Sequence, residues 1–183
     1  MLCLIQLGAN FNLCIANPYG PPNAMLITIQ SDGNVDPASS QLKHVGGNQY
    51  VLTENLNATI ISPFERYVYR INIEKDGIVL DGANHTIDGP GRVGIEIAYR
   101  TNVTVQNIML SGYDIGIEIF CSSNINVTGS SISSGERAIL VYNSSKLVIA
   151  ENIFANIYMQ TALDMTNSNS AIIYGNNLSC KQI

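Results

Sequence analysis

The sequence predicts an all-β solenoid: short strands wound into coils of about 22 residues that lie flat on one another. Three observations carry this. First, a four-residue pattern recurs as GIEI at 94–97, GIEI at 116–119, AILV at 138–141 and ALDM at 162–165, spaced by 22, 22 and 24 residues. Self-similarity at a fixed period of this size marks a repeat architecture. Second, stacking the four units leaves five apolar columns: Ile95/Ile117/Ile139/Leu163, Ile97/Ile119/Val141/Met165, Val103/Ile125/Leu147/Ala171, Val105/Val127/Ile149/Ile173 and Leu110/Ile132/Phe154/Leu178. Third, residues of the first two columns alternate with Glu96, Glu118, Leu140 or Asp164, and those of the next two with Thr104, Asn126, Val148 or Ile172. Alternation rich in β-branched residues is a strand signal.

Each unit therefore holds at least two short strands and then a turn that carries Leu110 or its equivalent. Small polar residues join the strands: Ser122, Ser123 and Asn124 in one unit, Asn143, Ser144 and Ser145 in the next. These are turn formers. One unit alone cannot bury its apolar side. Laid on its neighbour it forms ladders of like residues ~4.8 Å apart, with backbone groups paired between coils. Each inward Ile or Val then gains roughly 1.5–3 kcal/mol, against a backbone ordering cost of about 1–2 kcal/mol per residue. Neighbour contacts must close that gap, so a lone coil is expected not to fold.

Coils of this length, with runs such as GIEIFCSSNINVTGSSISS and GIVLDGANHTIDGPG, resemble the single-stranded right-handed parallel β-helix of pectin-lyase-like proteins. That group includes polysaccharide lyases, polygalacturonases, periplasmic copper-maturation proteins of nitrous oxide reductase and many microbial surface or periplasmic proteins. The resemblance covers residue 26 to the C-terminus and implies the fold rather than one activity. A leucine-rich repeat is the rival, since Leu147, Ile149, Asn152 and Phe154 fit half of its pattern. That pattern wants an apolar residue three places earlier, where this chain has Ser122, Ser144 and Ser168.

Read in order, residues 1–16 (MLCLIQLGANFNLCIA) are apolar but interrupted by Asn10 and Asn12. They are too short and polar to span a bilayer. They read as a truncated or degraded signal sequence ending at Ala16, with an apolar flap over the first coil as the alternative. Residues 17–25 are a Pro/Gly linker. Residues 26–93 form irregular N-terminal coils: a strand at 25–30, a turn at 31–34, a polar irregular stretch at 36–48, and candidate strands at 50–52 and 59–61. An aromatic run at 64–69 precedes Ile71, Ile73, Ile78, Leu80 and Ile87 of a second coil. Residues 94–183 are the regular coils. Little follows Leu178, so the last coil is expected to be open, and either to continue in a longer natural chain, to dock or to self-associate.

The composition is globular, with 46% hydrophobic and 13% charged residues. The 25 Ile and 21 Asn fit inward ladders and polar turns. A net charge of −5 argues against a nucleic-acid partner, because no basic stripe exists to neutralise phosphates. Cys3 and Cys14 lie in the leader. Cys121 and Cys180 fall more than two rises apart, too far to bridge, and read as free thiols. Six sequons, at Asn57, Asn84, Asn102, Asn126, Asn143 and Asn177, are candidate glycosylation sites if the chain is exported.

For chemistry, the column Glu96, Glu118, Leu140, Asp164 places two carboxylates on adjacent coils about 5 Å apart. Such a pair fits acid/base work or a bridging Ca²⁺, the one cofactor the sequence suggests. Solvated glutamates on an exposed face are the plainer alternative. Asp76, Asp81 and Asp88, each followed by Gly, form a second set near His85, Arg92 and Arg100. The family's lyases use an Arg or Lys base with acidic residues that hold Ca²⁺, but Asp-Gly is first a turn dipeptide. The spaced Asp and Arg-x-Lys signatures of polygalacturonases are missing. His44 and His85 are the only histidines, and nothing beside them completes a copper site. Phe120 and Tyr142 share an outward column close to Tyr99, an arrangement that suits a sugar-stacking platform or packing over a turn. The leading reading is a non-enzymatic, secreted or cell-surface module that binds a glycan or a surface protein along its side. The alternative is a polysaccharide lyase or glycoside hydrolase acting on an acidic polysaccharide through Glu96, Glu118 and Asp81.

Overall fold

The computed structural model describes residues 25–39, 41–57, 69–155 and 161–179. The strands are β1 (Met25–Ile29), β2 (Val35–Asp36), β3 (Leu42–Gly46), β4 (Gln49–Leu52), β5 (Leu56–Asn57), β6 (Tyr69–Ile73), β7 (Val79–Asp81), β8 (Thr86–Ala98) and β9 (Thr101–Gln106). They continue as β10 (Met109–Phe120), β11 (Ser123–Thr128), β12 (Ser131–Ser133), β13 (Arg137–Tyr142), β14 (Ser145–Ala150), β15 (Ile153–Ala155), β16 (Thr161–Thr166), β17 (Asn169–Tyr174) and β18 (Asn177–Ser179). No helix occurs among the described residues. The chain winds about five turns with a spacing of about 23 residues.

Each regular coil has three faces. The first is the ladder β1–β6–β8–β10–β13–β16, the second β4–β7–β9–β11–β14–β17, and the third β5–β8–β10–β12–β15–β18. β8 and β10 run through two faces and bend where the register shifts between Ser111 and Tyr113. The predicted columns are ladders: Ile27, Ile71, Ile95, Ile117, Ile139 and Leu163 succeed one another as register partners on the first face. Leu56, Ile87, Leu110, Ile132, Phe154 and Leu178 do so on the third. Side chains from all three faces meet in one core.

Two expectations need correction. The residue following the second strand of each unit was expected on a turn. It stands instead on a third strand, three residues long in β12, β15 and β18, too short to display a period. The stretch 36–48 was expected to be irregular, yet β3 pairs antiparallel with β4 and β2 pairs antiparallel with β1. β3 buries only Leu42, while its remaining residues, Lys43 and His44 among them, stay exposed, so the strand carries no alternation to recognise. The predicted strand at 59–61, most of the aromatic run at 64–69, the 1–16 leader and most of the linker lie outside the described residues.

The corners are held by residue type and by backbone. Between the first and second faces, positive φ recurs in pairs: Tyr99 and Asn102, Cys121 and Asn124, Asn143 and Lys146, Asn167 and Ser170. Asn tolerates this region best among non-glycine residues, which accounts for part of the Asn richness. Inside the same corner runs a serine ladder. Ser122 Oγ accepts from Arg100 N (3.0 Å), Ser144 Oγ from Ser122 N (3.0 Å) and Ser168 Oγ from Ser144 N (3.1 Å). Inside the next corner Asn152 Oδ1 accepts from Ser130 N (3.0 Å), and Asn176 Oδ1 from Asn152 N (3.0 Å). These ladders satisfy amides that the turns would otherwise bury without partners.

Candidate functional site

The outward side of the first face carries two parallel rows. The register aligns Asn72, Glu96, Glu118, Leu140 and Asp164 in one row, and Ala98, Phe120, Tyr142 and Thr166 in the other. A strand presents alternate residues to one side, so Glu118 and Phe120 stand together, as do Leu140 and Tyr142.

In the first row Glu96 and Glu118 are direct register partners, about 4.8 Å apart at the backbone. One oxygen of Glu96 is shielded from solvent. Leu140 separates them from Asp164, which accepts from Arg137 Nε at 2.9 Å, while Arg137 Nη1 also reaches Glu136 at 3.1 Å. Among the described residues, no three His, Cys, Asp or Glu side chains gather around a point where a metal could sit. Two glutamates alone supply fewer than the six to eight oxygens that Ca²⁺ takes.

In the second row the rings of Phe120 and Tyr142 stack, with centroids 5.5 Å apart and planes 8° from parallel. Tyr99 meets Phe120 edge-on at 5.6 Å. Phe120 is thus enclosed by aromatic neighbours. Tyr142 ends the stack: its next partner down the ladder is the small Thr166. Tyr142 is 37% exposed, and Asn167 Nδ2 approaches its hydroxyl at 3.5 Å. One aromatic face therefore lies over a polar ledge of Thr166 and Asn167.

The Asp-Gly set is dispersed around the coil. Asp76 Oδ1 accepts from Thr101 N (2.9 Å) at the corner after the first face. Asp81, at the end of β7 on the second face, accepts from Ala83 N (2.8 Å), Gln106 Nε2 (2.8 Å) and Asn107 Nδ2 (3.2 Å). Burial pushes the Asp81 carboxyl up, but these three hydrogen bonds outweigh it and hold the group below its ordinary value. Asp88, on the third face, accepts from Ser111 Oγ. Asp81 and Glu118 therefore occupy different faces. Arg100 donates to the carbonyls of Ala98 (2.9 Å) and Glu74 (2.7 Å), which fixes a turn. His44 stacks on Tyr50 at 4.7 Å.

Of the sequon residues, Asn57, Asn84, Asn102 and Asn177 are exposed and Asn143 is half-buried at a corner. Asn126 is half-buried and donates to Thr104 Oγ1 at 3.3 Å. The free-thiol expectation fails at Cys121, which is disulfide-bonded. The expectation weighed only the pair with Cys180, and Cys3 and Cys14 were placed in the leader without being weighed as partners. Sequence reasoning also missed the serine and asparagine ladders, although Ser122, Ser144 and Ser168 recur on the repeat period.

The sequence pattern of a family described as "Right handed beta helix region" matches residues 69–182. No curated protein and no solved structure matches the chain.

Proposed function

The chain belongs to the right-handed β-helix family, and from that premise we propose that it is a non-enzymatic module of an exported or cell-surface protein that holds a glycan against its first face. The observation that carries this reading is the ring of Tyr142, last in its stack and 37% exposed above Thr166 and Asn167. An aromatic face supplies apolar contact, and amide and hydroxyl groups beside it suit the hydroxyls of a sugar. Glu118 and the Asp164–Arg137 pair border the same strip. The Cys121 disulfide supports an oxidising compartment, where such bonds persist.

A second reading, a lyase or hydrolase of acidic polysaccharide, draws support from the adjacency of Glu96 and Glu118. Their backbones lie about 4.8 Å apart, and a retaining glycosidase holds its two carboxyl groups about 5–5.5 Å apart. The Asp81 region does not join them on that face.

A glycan array probed with the full chain and with Tyr142→Ala tests the proposal. Retention of at least one oligosaccharide is expected, with about a tenfold loss on substitution, equal to about 1.4 kcal/mol. An array with nothing retained, or a variant that binds as well as the parent, sinks it. Release of reducing or unsaturated sugars that disappears in Glu118→Gln would move the assignment to the enzymatic reading.

A further inference from the structure

The outer side of the second face changes character along the stack. From β9 onward one outward row reads Thr104, Asn126, Val148, Ile172, and the other reads Gln106, Thr128, Ala150, Tyr174. Each runs from polar to apolar toward the last rung, where Ile172 is 60% exposed and Tyr174 53%. The position of that rung does not account for the choice of residues. Alternate residues of a strand face opposite sides, so a further coil would cover the inward Ile173 and leave the outward Ile172 and Tyr174 facing water. With Val148 on the rung above, these side chains form a continuous apolar strip, and such a strip marks a contact surface.

Two charges frame the strip. At the corner before the second face the rungs read Asn102, Asn124, Lys146 and Ser170, and at the corner after it Asn107, Gly129, Glu151 and Gly175; every one of these residues has positive φ. Asn and Gly suit that backbone, whereas Lys and Glu do not. Turn geometry therefore does not call for the two charges. Both fall on the same coil, at opposite ends of β14, and both are exposed. The strand holds them roughly 16 Å apart, too far to pair with each other. Neither forms an ion pair with another described residue.

We propose that this surface docks a second copy of the chain, with the twofold axis parallel to the solenoid axis. That axis sets two second faces against each other with their strands antiparallel and their rungs at equal height. Lys146 of each copy then stands opposite Glu151 of the other, and the strips of Val148, Ile172 and Tyr174 cover each other. A twofold axis along the strands would instead bring both Lys146 side chains to one edge and both Glu151 side chains to the other. A twofold contact is made by one patch meeting itself. An apolar middle with one positive and one negative edge is self-complementary in only the first orientation, and charges placed in this way fix orientation more than they add affinity. The contact lies on a different face from Tyr142, so it stands or falls independently of glycan binding.

Sedimentation velocity of the full chain tests the proposal. A monomer–dimer equilibrium at micromolar concentrations is expected, since a single sheet face is a small interface. Ile172→Ser with Tyr174→Ser should abolish it, and these outward positions leave the core untouched. Lys146→Glu should weaken association by about tenfold or more, because it sets like charges against each other twice per dimer. Glu151→Lys should do the same. Combining Lys146→Glu with Glu151→Lys should restore the parent's association, a rescue that a merely misfolded single variant would not show. A chain that stays monomeric, association unchanged by the two serines, or a double swap as weak as either single swap overturns the proposal. Association lost in Leu178→Ser but kept in Ile172→Ser with Tyr174→Ser would put the contact on the end of the stack, and overturns it too.

Discussion

The two ends of the stack follow one pattern with opposite results. Ile149 on β14 and Ile173 on β17 are register partners with the same inward orientation, yet Ile149 is 1% exposed and Ile173 50%. Phe154 on β15 and Leu178 on β18 differ in the same way, at 3% and 62%. What separates them is the next rung: no described strand lies beyond β16, β17 and β18. At the opposite end β2 and β3 turn back antiparallel, and Ile27 and Leu42 are buried. Burial here is a property of two coils together, so a residue's weight is set by its height in the stack as much as by its type.

That comparison can be broken most directly in the core. Ile149→Ala removes a side chain enclosed by rungs above and below, and should cost about 2–5 kcal/mol. Ile173→Ala makes the same chemical change where water already reaches, and should cost roughly 1 kcal/mol. Urea unfolding of the full chain measures both. Equal losses would mean that the exposed end is covered in solution and that the contrast between the two ends is not real.

The polar ladders provide the next contrast. Asn152 is buried: its Oδ1 takes Ser130 N, and its Nδ2 gives to Val127 O at 2.9 Å. Asn176 repeats the arrangement, with Asn152 N as donor and Ile149 O as acceptor at 2.8 Å. Asn152→Ala strands a buried donor and a buried acceptor, for roughly 2–3 kcal/mol. At Asn176→Ala water can replace the amide, and about 1 kcal/mol is expected. Amide exchange at Ser130 and Asn152 resolves the two: protection lost equally in both variants would refute the ranking.

The same logic explains which features could be read from the sequence. The columns through Ile117, Ile119, Ile125 and Val127 were legible because the strands carrying them alternate over several residues, and the ladder repeats them at a constant interval. The pairing of Glu96 with Glu118 followed from that interval alone. The third face was not legible, since a strand such as Ser131–Ser133 has one inward residue and no alternation to recognise. Positive φ at Tyr99, Cys121 and Lys146 was hidden for a different reason: the stacked backbone imposes it on residue types that disfavour it. The antiparallel β3 was masked by its polar side chains. Of the candidate site, the shared column of Phe120 and Tyr142 was visible, but which ring keeps a free face depends on the small Thr166 below it.

The row Asp81, Gln106, Thr128, Ala150, Tyr174 runs from charged to apolar along the stack, and it sharpens the comparison through pH. Asp81 ties β7 to the next rung through Gln106 and Asn107. Burial raises its pKa, but its hydrogen bonds lower it further, so the native value lies below the unfolded one. A depressed carboxyl contributes stability that is present above the unfolded pKa, ~3.9 for Asp, and that is lost as pH falls through the lower native value. The group is partly solvated, so the effect should be at most about 1 kcal/mol. Asp81→Asn keeps an acceptor for Ala83 N and removes the charge. Its urea midpoint should therefore drop less than that of the parent between pH 6 and pH 3, with the difference developing below pH 4. Parallel pH profiles for the two proteins would show that this carboxylate does not steady the N-terminal coils.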